Sequence, residues 1–129
     1  MRYLKTKYFT RWARKTNVSD SLLREAIREF ERGLYEADLG HHLFKKRISL
    51  HGRGKSGGAR TILFYQQEEK IVFCFGFAKN VKENLDENEK KVLYQLSKDL
   101  LGFKVTDLDK LIQSGVLIEI LKMEEENEK

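Results

Sequence analysis

Six cationic side chains, Lys45, Lys46, Arg47, Arg53, Lys55 and Arg60, fall between His41 and Arg60 with no Asp or Glu among them. The same stretch holds all three histidines, His41, His42 and His51, and the acid-free span reaches from Leu39 to Gln67. A solvated charged face normally alternates sign, as the run from Leu22 to Phe30 does. Cations without counter-charges are suited to meet phosphates, so the pattern points to a nucleic acid. Phe44, Ile48 and Leu50 alternate with Leu43, Lys45, Arg47 and Ser49. That period places Lys45 and Arg47 on one side of a strand. His51 sits among Arg47, Arg53 and Lys55. Neighbouring cations favour its neutral imidazole, which suits proton transfer.

Three other chemistries are excluded. Gly52-Arg53-Gly54-Lys55-Ser56-Gly57-Gly58 is glycine-rich, but a phosphate loop needs a glycine five positions before Gly54, where Ser49 stands. The residues after it, Arg60 to Phe64, continue as a strand, so no helix N-terminus faces a phosphate. A flexible connection that contacts a polynucleotide backbone fits better. His41 and His42 are adjacent and point apart, and no Cys or carboxylate stands at metal-ligand spacing, so no metal and no other cofactor is expected. Cys74 is the single cysteine, inside an apolar run, and is expected to be a buried thiol.

The elements that must position these residues are legible from period and punctuation. Arg2–Leu4 reads as a short strand and Lys7–Lys15 as a helix with Tyr8, Phe9 and Trp12 inside. Ser19 is placed to cap a second helix, in which Leu22, Leu23, Ala26, Ile27, Phe30 and Leu34 recur at helical spacing and Gly33 is a stop. Strands follow at 43–50, 61–67 and 70–79, the last apolar on both faces, with a turn at Gln66–Glu69. Val92, Leu93, Leu96 and Leu100 mark a third helix ended by Gly102. Thr106 is the expected cap of a fourth helix running to Gly115, and Val116–Leu121 reads as a strand or a helical turn. The expected fold is α+β: a small twisted antiparallel sheet with the N-terminal and C-terminal helices packed on one face.

Composition sets the outer bounds. The 129 residues are 40% apolar and 11% aromatic, enough for one core and one domain over 1–122. Residues 123–129, rich in Glu, read as a flexible tail. Residues 1–82 carry eighteen Lys and Arg against eight Asp and Glu, a balance of +10, whereas 83–129 carry seven against twelve, a balance of −5. The basic part is the expected working face. With no secretory pattern and no apolar run of about 18 residues, the chain is expected to be cytoplasmic and to engage no membrane.

Three segments carry a resemblance: Leu43-Phe44-Lys45-Lys46-Arg47-Ile48, Gly54 to Thr61, and Phe75-Gly76-Phe77-Ala78-Lys79-Asn80. Together they resemble the RelE/HigB-type toxins of bacterial type II toxin–antitoxin systems, and the likeness extends through the two N-terminal helices to Gly115–Ile120. The resemblance implies a metal-independent endoribonuclease that cuts mRNA in the ribosomal A site and so inhibits translation. It implies a catalytic set of Lys45, Arg47, Arg60 and Lys79, to which the charge argument adds His51, with Lys46, Arg53 and Lys55 holding RNA. It implies mRNA, the ribosome and a cognate helix-turn-helix antitoxin as partners. Some branches add a C-terminal Tyr or His, and this chain has neither after Tyr94. Two alternatives share the composition: a ParE-like toxin that inhibits DNA gyrase by binding, and a non-catalytic nucleic-acid-binding regulator.

Overall fold

The computed structural model describes residues 1–50, 54–78 and 84–121, and for 54–57 the backbone alone. Ten elements follow one another: β1 (Arg2–Thr6), α1 (Lys7–Thr16), α2 (Asp20–Glu31), β2 (Ala37–Gly40), β3 (Leu43–Leu50), β4 (Gly54–Gln66), β5 (Lys70–Ala78), α3 (Glu87–Gly102), α4 (Val105–Gln113) and β6 (Leu117–Glu119). The strands form one sheet in the order β2-β3-β4-β5-β1-β6. All neighbours are antiparallel except β1 and β5, which run parallel with Leu4 opposite Val72. The fold is α+β, as expected, with β1 held between β5 and the edge strand β6 and its Leu4 fully buried. The acidic tail lies outside the described residues.

The helices cover both faces of the sheet, not one. Phe9 and Ala13 of α1 and Leu23, Ala26, Ile27 and Phe30 of α2 pack on Ile48, Leu63, Ile71 and Phe73. On the reverse, Leu93 and Leu100 of α3 and Leu108 of α4 pack on Leu4, Ile62, Phe64, Val72 and Cys74. The correction follows from β5 itself: a strand apolar on both sides must be covered twice, at about 1.5–3 kcal/mol for each large side chain buried.

Local chemistry fixes the ends. The Thr6 hydroxyl accepts from Phe9 N–H at 3.0 Å to start α1, and Ser19 accepts from Leu22 N–H at 3.2 Å to start α2. Gly33 (φ 86°) ends α2 as expected, so Leu34 falls outside the helix and is left exposed. Asp86 and Glu89 form a capping box on α3. Lys104, not Thr106, precedes the first turn of α4, its N–H donating to Asp107. Tyr8 is exposed and stacks on Phe75 at 5.5 Å, since it lies one residue off the Phe9–Trp12–Ala13 stripe. Gly76 has no side chain to give, because a Cβ there would overlap the Trp12 ring that seats α1 on β5.

Two more expectations change. The glycine-rich run was expected as a flexible connection, yet from Gly54 onward its backbone is paired strand. Gly58 sits so close to β3 that a Cβ would overlap the carbonyl oxygen of Ile48, beside a register shift between Ile48 and Leu50. The short strand β2 was not anticipated, and it matters most for the site.

Candidate active site

Pairing of β3 with β4 sets Arg47 directly opposite Arg60, and Lys45 opposite Ile62. Since Ile62 faces α3, all three cations lie on that face. Like charges directly across a ladder are destabilising unless an anion stands between them. Glu36, in the joint between α2 and β2, supplies it. Its Oε2 is 2.7 Å from Arg47 Nε and 3.0 Å from Arg60 Nε, and its Oε1 is 3.2 Å from Lys45 Nζ. The Glu36 N–H donates to the Lys45 carbonyl at 2.8 Å, which ties the carboxylate's backbone to β3. Lys45 Nζ also donates to Asn84 at 3.2 Å, so the segment before α3 closes one side of the cluster.

The electrostatics favour one more anion. Partial burial alone would push the Glu36 carboxyl up. Hydrogen bonds from Arg47 and Lys45 and the charges of Arg60 and Lys45 together outweigh it, and hold the group below its ordinary range. Arg60 is 3% exposed, and its Nη1 is buried with no hydrogen-bond partner among the described residues. A buried guanidinium donor left unpaired is costly, and a phosphate oxygen is the group it suits best. Among the described residues three cations share one carboxylate here, which leaves a positive surplus on this sheet face.

Of the residues the sequence suggested, the structure brings Lys45, Arg47 and Arg60 together. Lys46 goes elsewhere. It is 3% exposed on the opposite face, where its Nζ meets Glu29 of α2 at 2.7 Å. An RNA-holding role does not fit that position, because strand alternation turns Lys46 away from its two neighbours. His51, Arg53 and Lys79 lie outside the described residues, and of Lys55 only the backbone, in β4, is described. His41 and His42 are the two connecting residues between β2 and β3, and His41 stacks on Tyr94 at 4.1 Å.

Glu36 was missed by sequence reasoning, and it corrects the idea that these cations lack counter-charges. It lies outside the acid-free span, and only the β2–β3 pairing, with Ala37 opposite Lys45, folds it back onto the cluster. The signal was a two-residue hairpin between Gly40 and Leu43, hidden because His-His is not the usual turn pair.

No curated protein matches the chain. A family model described as RelE toxin of RelE / RelB toxin-antitoxin system matches residues 1–120. That match takes in every strand and helix above, and it implies a cognate antitoxin as partner. The chain belongs to the RelE toxin family of toxin–antitoxin modules.

Proposed function

We propose that this toxin is an endoribonuclease that cuts messenger RNA on the ribosome and so stops translation. The observation that supports it is the buried Nη1 of Arg60, unpaired among the described residues, in a cluster of three cations that share one carboxylate. In this reading Glu36 stands where a phosphate would go, and the scissile phosphodiester displaces it. The RNA's own 2′-oxygen attacks the adjacent phosphorus and the P–O5′ bond breaks, leaving a 2′,3′-cyclic phosphate and a 5′-hydroxyl. A base takes the 2′-hydroxyl proton and an acid protonates the departing O5′. Arg60 and Arg47 bind the oxygens on which charge accumulates, Arg60 with a donor already unpaired and fixed by burial. Lys45, or His51, is the candidate base, and Lys79, with Arg53 and Lys55, completes backbone binding. Such a reaction needs neither a metal nor a protein nucleophile.

The reading places the toxin in the cytoplasm, with a helix-turn-helix antitoxin covering the basic surface. No helix among the described residues is long and apolar enough to cross a membrane. The test is toxin stripped with EDTA, returned to EDTA-free buffer and added to ribosomes programmed with a defined message, followed by mapping of new 5′ ends. Cuts at fixed positions in a codon, undiminished by the stripping, are expected. Intact message on programmed ribosomes, with growth arrest still seen on expression, would overturn the nuclease reading and favour inhibition by binding.

A further inference from the structure

A second basic surface lies on the same sheet face, outside the cluster around Glu36. His41 and His42 connect β2 to β3 with both residues left-handed, at φ 54° and 63°. A two-residue turn of this form strongly prefers Asn-Gly, since a Cβ crowds the carbonyl oxygen in left-handed backbone. The chain nevertheless spends the tip on two exposed imidazoles, one of them stacked on Tyr94 of α3, and left-handed backbone outside glycine clusters at functional sites. The tip closes one side of a cleft of about 560 Å³ whose other wall is α3, with Lys91, Tyr94, Ser97 and Lys98 facing it. Lys91 and Lys98 are exposed, and no Asp or Glu lines the cleft among the described residues.

The charges of α3 are sorted between its two sides. Glu89 and Asp99 line a different, apolar cleft beside Tyr8 and Phe75. Asp99 accepts from Gln95 at 3.1 Å, and Glu87 pairs with Lys90 at 3.4 Å. Asp38, the acid nearest the hairpin tip in sequence, accepts the Gly40 N–H at 2.9 Å within its own turn. The lysines on the histidine side are therefore left to solvent. Lys45 lies three residues along β3 from His42, roughly 10 Å, or about three stacked nucleotides.

We infer that the His41–His42 tip and the Lys91–Lys98 edge of α3 form a second contact for an RNA phosphodiester backbone, continuous with the Lys45–Arg47–Arg60 cluster. The inference rests on the reading of this face as RNA-directed. The backbone belongs either to the message or to ribosomal RNA, and two probes separate them: a fluorescein-labelled single-stranded RNA with 2′-O-methyl groups throughout, which the proposed reaction cannot cut, and isolated small ribosomal subunits. Removing both lysines (Lys91→Gln with Lys98→Gln) is expected to weaken binding about tenfold and to lower the log–log salt slope on the oligonucleotide by about 1.4. His41→Asn with His42→Gly keeps the turn and eases its backbone, which offsets the lost stack on Tyr94, so its melting temperature changes little while affinity falls severalfold. Loss on both probes assigns the surface to any phosphodiester, and loss on the subunit alone assigns it to ribosomal RNA. Unchanged affinity and slope for both variants on both probes overturn the inference, even if the toxin cuts. A toxin that binds both probes but cuts no message overturns the nuclease reading and leaves this surface standing.

Discussion

Lys45 and Lys46 are neighbours on one strand, and the fold gives them opposite circumstances. Lys46 points at α2, where its Nζ meets Glu29 at 2.7 Å, with side-chain exposures of 4% and 17%. Lys45 points to the α3 face, where it shares Glu36 with Arg47 and Arg60. The first pair is shielded, and among the described residues the second leaves cations in excess and a guanidinium nitrogen unpartnered. Buried ion pairs contribute little net stability, since desolvation offsets most of the attraction, but losing one partner is expensive. Charge alone therefore says little about which lysine meets a ligand. Surplus charge, held in place by burial, separates the two.

The sharpest way to break the comparison is Arg60→Ala. It removes the donor best placed for a developing phosphorane charge, and cleavage on programmed ribosomes should fall about 10²–10³-fold. The folded state should persist, because Glu36 keeps Arg47 and Lys45. Far-ultraviolet circular dichroism beside the cleavage assay checks both halves. Undiminished cutting would remove Arg60 from the site.

Lys46→Ala tests the other side. Truncation leaves Glu29 without this cation in a nearly closed place, and should cost about 3 kcal/mol of folding stability. Activity per folded molecule should hold, because Lys46 faces away from the cluster. Denaturant melts give the first quantity, and cleavage rates corrected for folded fraction give the second. Replacing both members, Lys46→Met with Glu29→Leu, should restore most of the loss, as apolar pairs of similar volume commonly do. A stable Lys46→Ala protein that no longer binds RNA would reverse the assignment of the two lysines.

The helices and three central strands were legible because period and caps agreed: Ser19 caps α2, and Phe9, Ala13 and Leu23 are buried. The alternation of β3 also correctly set Lys45 and Arg47 on one side. The remainder depended on contacts between segments distant in sequence. Glu36 is bound to the cluster by a hairpin whose turn residues follow no common preference. The burial of Lys46 depends on α2, which covers that face of β3 and brings Glu29 to it. Asp20 shows the same limit: it pairs with Lys5 at 2.6 Å and accepts the Leu121 N–H at 2.8 Å, a link across the whole chain. Composition shows that an acid-free run exists, and only topology shows which acids return to it.

Glu36→Gln sharpens the comparison most finely, because it removes the one charge that makes the open cluster resemble the closed pair. If the carboxylate stands in for a phosphate, its neutral isostere no longer competes for the three cations. Binding of an uncleavable RNA should then tighten about tenfold at low salt, the range expected when one counter-charge is removed from a phosphate-binding face. Folding should respond in the other direction. The carboxyl is held below 4.5, its ordinary value, so it adds stability above that pH and loses it as pH falls through the folded-state value. Wild type should therefore exceed Glu36→Gln in melting temperature at neutral pH, and the gap should narrow in acid. A variant that binds RNA more weakly would mean that the carboxylate organises the cations for their ligand instead of occupying its place. The gap in melting temperature would survive that outcome, since it depends only on the three contacts to Lys45, Arg47 and Arg60.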